Sequence, residues 1–177
     1  MSALKMTLCA LAMATVSTSA LAATQGTVTF NGELTAETCQ IAADSVDRLV
    51  QLPTIAIQTL NAAGTTAGSK GFDLNVEQCP EGISQVAAHF EAIGSSGADT
   101  ATGNLTNQYT GTGTAATNVQ VRLYNSDEKQ LKLGETGAPA TVTGGKATMR
   151  YYGGYYATNA TTAGLVYAQA AYTLAYP

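Results

Sequence analysis

The last fourteen residues, Gly164-Leu165-Val166-Tyr167-Ala168-Gln169-Ala170-Ala171-Tyr172-Thr173-Leu174-Ala175-Tyr176-Pro177, place the strongest constraint on the fold. Side chains alternate across a strand, so Val166, Ala168, Ala170, Tyr172, Leu174 and Tyr176 fall on one face. That face stays apolar to the penultimate residue. Most chain ends fray unless they are tied down, yet this pattern calls for burial to the very end.

The opposite end reads as a targeting segment. Lys5 supplies a positive charge, residues 6–16 a short apolar run, and Ala20-Leu21-Ala22 a small-residue cleavage pattern. The run is too short to span a bilayer, which needs roughly 20 residues. Cys9 lies inside it, and Met6-Thr7-Leu8 ahead of it does not look like a lipoprotein lipobox. Cleavage after Ala22 would leave 177 − 22 = 155 residues, enough for one domain with its own core.

Removing Lys5 leaves seven Lys plus Arg against twelve Asp plus Glu, a net charge of −5. No run of basic residues exists, which argues against nucleic-acid binding. Cys39 and Cys79 remain, and an even pair in an exported chain reads as a disulfide, with two free buried thiols as the alternative.

Helical periodicity is hard to find. Apolar residues alternate in short runs separated by Gly, Thr, Asn and Ser, an all-β pattern. The runs predict strands at 27–30, 37–41, 48–52, 71–77, 85–91, 118–124, 130–133, 147–156 and 166–176. Residues 55–60 fit a short helical turn or an irregular edge. Residues 94–117 read as a long polar connection with one short strand around Leu105. This spacing suggests a two-sheet sandwich of the immunoglobulin type. Before the first cysteine, Gly26, Val28 and Phe30 alternate with Gln25, Thr27, Thr29 and Asn31. That strand either pairs with the chain's own sheet or enters a neighbouring molecule, and spacing alone leaves both open.

Catalysis has little foothold. His89 is the only histidine and lies in an alternating strand, with no nucleophile motif beside it. One histidine and two distant cysteines cannot supply a zinc quartet, so no metal site is expected. Asp127-Glu128 reads as a solvated hairpin turn without the spacing of a calcium loop. Alternation places Tyr151 and Tyr155 with Met149 on a core face, and Tyr152 and Tyr156 with Arg150 on an outer face. The outer pair is a candidate subunit-contact or glycan-binding patch. Asn104-Leu105-Thr106 and Asn159-Ala160-Thr161 match glycosylation sequons, a pattern common by chance in a Thr-rich chain.

Several motifs in order resemble the major type 1-like fimbrial subunits of the chaperone–usher pathway. They are Gly26-Thr27-Val28-Thr29-Phe30-Asn31-Gly32, Cys39, Val50-Gln51-Leu52-Pro53, Gly71-Phe72-Asp73-Leu74 and Cys79. Ala116-Thr117-Asn118-Val119-Gln120-Val121 and Met149-Arg150-Tyr151-Tyr152-Gly153-Gly154-Tyr155-Tyr156-Ala157-Thr158 continue the match. A glycine fourteenth from the end and an aromatic next to last complete it.

The resemblance implies an all-β, incomplete immunoglobulin-like sandwich lacking its last strand, completed by a donor strand from a partner. It implies three segments: a signal peptide at 1–22, a donor-strand extension at 23–35 and a pilin domain at 36–177. Gly26, Val28 and Phe30 would be donor-face residues, with Thr24 a candidate outer contact. Gly164, Val166, Ala168, Ala170, Tyr172, Leu174 and Tyr176 would line the acceptor groove and the chaperone-binding strand. The implied partners are other pilin subunits, a periplasmic chaperone holding the Pro177 carboxylate, and an outer-membrane usher. The implied destination is an extracellular fimbrium, reached through the periplasm, with no cofactor and no enzymatic turnover. A minor adaptor or terminator subunit is the alternative within the family. A secreted monomeric carbohydrate-binding sandwich is the alternative outside it. Two features depart from some relatives: the extension ahead of Gly26 is short, and Gly153-Gly154 replaces bulkier residues, marking a bulge or a close backbone approach.

Overall fold

The computed structural model describes residues 27–32, 34 and 38–177. The chain divides into two units, Met1–Leu34 and Thr35–Pro177. The second unit is nearly all β. In chain order its strands are β1 (Gln40–Ile41), β2 (Thr66–Glu77), β3 (Gln85–Ala92), β4 (Ala98–Asp99), β5 (Asn104–Thr106), β6 (Val119–Tyr124), β7 (Gln130–Leu131), β8 (Ala140–Thr141), β9 (Ala147–Ala157) and β10 (Ala170–Ala175). A four-residue helix, Ala43–Val46, and a 3-10 turn, Ile57–Leu60, interrupt the first connection.

Two sheets form. The larger has seven strands in the order β1-β2-β9-β6-β5-β4, with β7 also paired to β6. The smaller runs β10-β3-β8. Alternation explains why they pack face to face: β2 turns Phe72, Leu74 and Val76 inward, and β9 turns Ala147, Met149 and Tyr151 inward. From the smaller sheet β3 answers with Val86, Ala88 and Phe90. The Phe90 ring meets Tyr151 edge-on at 5.1 Å and Phe72 at 6.5 Å. A second cluster of Leu60, Val119 and Ala157, with Val166 and Tyr155 packed against it, fills the far end.

Tyr151 also joins the two sheets by hydrogen bonds. Ala88 N–H donates to its Oη at 3.1 Å, and the hydroxyl donates to the Ala138 carbonyl at 3.1 Å. Burial pushes the phenol pKa above its ordinary value, only partly offset by the Ala88 bond. Tyr151→Phe leaves the buried Ala88 N–H and the half-buried Ala138 carbonyl without that partner. We expect it to cost about 1–3 kcal/mol, read as a lower urea midpoint with unchanged slope.

Most predicted strands fall where alternation placed them, and the differences have physical causes. Residues 48–52 keep the alternation, with Val50 and Leu52 half-buried, but carry no ladder partner among the described residues and therefore no strand. β2 begins at Thr66, earlier than expected, and passes through a register shift between Ala67 and Lys70. Gly154 faces that shift: a Cβ there would stand 3.1 Å from Ser69 Cα, so the close approach needs glycine. Beyond the expected strand at Leu105, the polar connection forms β4, and β8 gave no sequence signal at all.

Polar groups at the β4–β7 corner satisfy one another. Asn104, 1% exposed, donates to Gln120 Oε1 and accepts from Arg122 Nε and Gln130 Nε2. Its burial closes the first sequon to modification in the folded domain. Asp99 completes the corner, and its pKa is lowered by the Thr102 N–H and then by the Gln120 amide. On the outer face of β2, Asp73 is lowered mainly by hydrogen bonding to Arg150, which reaches both carboxylate oxygens at 2.6 Å. Both folded values lie below the ordinary 3.8, so both groups add stability that is complete above 3.8. That stability is lost as pH falls through 3.8 toward the lower folded values. Because both are largely solvated, the expected outcome is a modest fall in the urea midpoint between about pH 5 and pH 2. Asp73→Asn should flatten part of it.

Candidate functional site, an uncovered sheet edge

Backbone hydrogen bonding and burial disagree at one place in the fold. β10 pairs with β3 through six residues, from Ala170↔Ala92 to Ala175↔Ala87. Its other edge carries no ladder partner among the described residues. Along the inner face of β3, Val86, Ala88 and Phe90 are 0–4% exposed. Directly beside them Ala170, Tyr172, Leu174 and Tyr176 are only half-buried, although all four pack against the same core. A strand in the interior of a sheet does not show this step. It belongs to a strand at the sheet edge.

A second stretch, residues 48–52, carries no ladder partner among the described residues. Residues 48–52 offer Val50 and Leu52 with free backbone, and a cavity of about 220 Å³ opens between 48–51 and Lys70, Gly71 and Phe72. Two tyrosines tie β10 to the chain just ahead of that stretch. Tyr172 Oη donates to the Ser45 carbonyl at 2.8 Å, and the Cys39 N–H donates to Tyr176 Oη at 2.9 Å. Burial, then the charge of Asp44, raises the Tyr172 phenol pKa and keeps it a donor. Ser45 is fully buried, and its Oγ accepts the Asn75 N–H of β2 at 2.9 Å.

The predicted site residues distribute as follows. Cys39 and Cys79 form a disulfide, anchoring the start of β1 beside the end of β2. Ala170, Tyr172 and Leu174 lie on β10, and Tyr176 continues their face. Alternation of burial extends back through Ala168 and Val166, as the sequence predicts. The ladder does not. Residues 165–167 pair instead with the 107–116 segment, so Val166 joins the second core cluster and the expected strand at 166–176 shortens to β10. Gly164 marks that switch. A Cβ there would stand 2.4 Å from Ala116 N and 2.6 Å from Ala115 C. Gly164→Ala must therefore displace backbone. We expect it to cost at least about 1–3 kcal/mol, measured as a lowered melting temperature of the folded domain.

On the donor side, Thr27 to Gly32 carry no strand, with Val28 79% and Phe30 90% exposed. Gly26, Thr24 and the expected cleavage segment lie outside the described residues. The sequence reading missed Val50, Leu52 and the Tyr172–Ser45 bond as parts of the site. An alternating run without a hairpin partner was the available signal for the first two.

The remaining candidates have the following neighbours. His89 Nδ1 meets Thr136 Oγ1 at 2.9 Å, and Nε2 lies 3.5 Å from Glu91. Asp127 and Glu128 form the turn between β6 and β7, closed by the Glu128 N–H to the Asn125 carbonyl. Tyr156 lies under the Arg122 guanidinium at 3.8 Å. Among the described residues no three His, Cys, Asp or Glu side chains are grouped to hold a metal.

Comparison with known proteins agrees with this architecture. The family model for the fimbrial protein matches residues 28–177. The F17 fimbrial protein of Escherichia coli is 36% identical, covering 93% of this chain and 94% of its own. The major fimbrial subunit SMF-1 of Stenotrophomonas maltophilia is 39% identical, covering 87% and 94%. Among solved structures, a chaperone–usher pilus subunit superposes with TM-score 0.62 at 20% identity, covering 86% of this chain and 96% of that one. The P pilus rod subunit PapA gives 0.58 at 18%, covering 78% and 99%. At those identities the structures carry the fold, an immunoglobulin-like sandwich. The chain belongs to the fimbrial protein family, whose members are structural subunits of extracellular fimbriae and not enzymes.

Proposed function

We propose that this subunit polymerises by strand donation, the extension of one copy filling the groove of the next. The observation that carries the reading is the step in burial between β3 and β10 beside a free edge. An entering strand supplies main-chain hydrogen bonds to β10, and its alternate side chains fill the uncovered core. Gly26, Val28 and Phe30 are the inward residues of the donor, and 23–35 is the donor segment. Residues 36–177 are the acceptor domain, and 1–22 is removed on export.

An open edge beside uncovered core is an aggregation hazard, so a subunit in transit needs a temporary occupant. A periplasmic chaperone fills that role, gripping β10 and the exposed Pro177 terminus, and an outer-membrane usher exchanges it for the next subunit. Because exchange completes a fold, dissociation is governed by an unfolding barrier.

The test is electrophoresis of sheared surface fibres in SDS, with and without boiling. A ladder that collapses to one band only on boiling is the expected result. A single monomer band in both lanes would overturn the polymer reading.

A further inference from the structure

Two large apolar side chains near the groove stay in solvent. Leu165 and Tyr167 are each 48% exposed, two residues apart on one face, with Val166 between them turned into the core. Their backbone is firmly held. Leu165 N–H donates to the Thr114 carbonyl, and Ala116 and Gln108 N–H donate to the Leu165 and Tyr167 carbonyls at 3.0 and 2.8 Å. Asn107 closes the arrangement: its Oδ1 accepts the Tyr167 N–H at 2.9 Å and its Nδ2 donates to the Ala116 and Leu165 carbonyls. Tyr109 borders the same patch. A Cβ on Gly113 would stand 3.3 Å from Leu165 and 3.9 Å from the Tyr109 hydroxyl.

We propose that Leu165, Tyr167 and Tyr109 form a docking surface for the folded domain of the second copy whose extension fills the groove. The inference rests on strand donation and adds a contact that strand donation alone does not require. Chain connectivity identifies the occupant. Among the described residues every ladder between named strands is antiparallel, and the isolated bridge Ala115↔Leu165 is parallel. A donor that continues this pattern runs opposite to β10, so its C-terminal end lies at Ala170. From Phe30 to Cys39 is 39 − 30 = 9 residues, which reach about 30 Å at most. The donor's own domain must begin within that distance. Tyr167 precedes Ala170 by three residues, about 10 Å along the chain. The patch therefore sits where the donor copy's domain has to be. Aromatic and aliphatic side chains on a pre-bonded backbone lose little freedom on contact, which suits them to anchor an interface.

The test places a photoreactive benzoylphenylalanine at position 167 and assembles fibres. The SDS-resistant two-copy rung is then isolated, irradiated and boiled. We expect dimers that survive boiling, linked from position 167 to peptides within 36–177 of the second copy. Linkage only to 23–35, or none in a rung that forms normally, overturns the docking surface and leaves strand donation intact. Absence of any boiling-sensitive rung from unmodified protein sinks strand donation instead. As a second measurement, Leu165→Ser with Tyr167→Ser should keep the ladder while fibre persistence length falls at least about two-fold. An unchanged persistence length would also overturn the proposal.

Discussion

Val28→Asp combined with Phe30→Asp is expected to abolish fibre assembly while leaving the acceptor domain folded. Both side chains are exposed in the free subunit, so the domain's own core loses nothing. On insertion, each native side chain contributes about 1.5–3 kcal/mol by leaving water. Losing both weakens the exchange by at least about a hundred-fold. An aspartate driven into the uncovered core adds the cost of burying an unpaired charge. The chaperone-bound subunit should accumulate at its normal level, because that complex uses the groove and not the extension. The measurement is the unboiled ladder beside the yield of chaperone complex. A full ladder from this variant would refute the donor-face assignment.

Removal of the disulfide is expected to have the second-largest effect, on the opposite part of the subunit. Cys39 and Cys79 close a loop of 40 residues. The chain-entropy relation gives about 4 kcal/mol for a loop of that size, a large share of the roughly 5–15 kcal/mol that holds a domain together. This domain has less in reserve, since one face of its core is uncovered. The bond also fixes Cys39, whose N–H holds Tyr176, so one end of the groove is tied to it. Cys39→Ser with Cys79→Ser should lower chaperone-bound yield several-fold and bring down the urea midpoint of what remains. A midpoint within experimental scatter of the parent would show that the cross-link adds nothing to the folded state.

Period-two alternation made most of this fold legible. It identified the inner faces of β9 and β10 and separated buried Tyr151 from Tyr152, while the adjacent glycines Gly153-Gly154 pointed to the close approach opposite the register shift of β2. Where it failed, it reported a face and could not report a partner. Residues 48–52 and 166–169 alternate like strands, yet the first pairs with nothing and the second lies beyond the β3 ladder. Pairing depends on residues far away in sequence, which a local period cannot contain. The Tyr172–Ser45 bond escaped for the same reason, joining residues 127 positions apart. β8 is two residues long, shorter than the period needed to recognise it.

The smaller sheet has a consequence for the order of events during export. Its central strand, β3, finds no partner near it in the chain: Val86 waits for Ala140, and Phe90 for Tyr172. A polypeptide that emerges N-terminus first therefore leaves one edge of β3 unpaired until β10 has crossed. Contacts of such separation are slow to form, because loop closure precedes any gain from them. Folding cannot run concurrently with translocation for this half of the domain. A factor that recognises β10 therefore meets only chains in which every strand of the smaller sheet is already present.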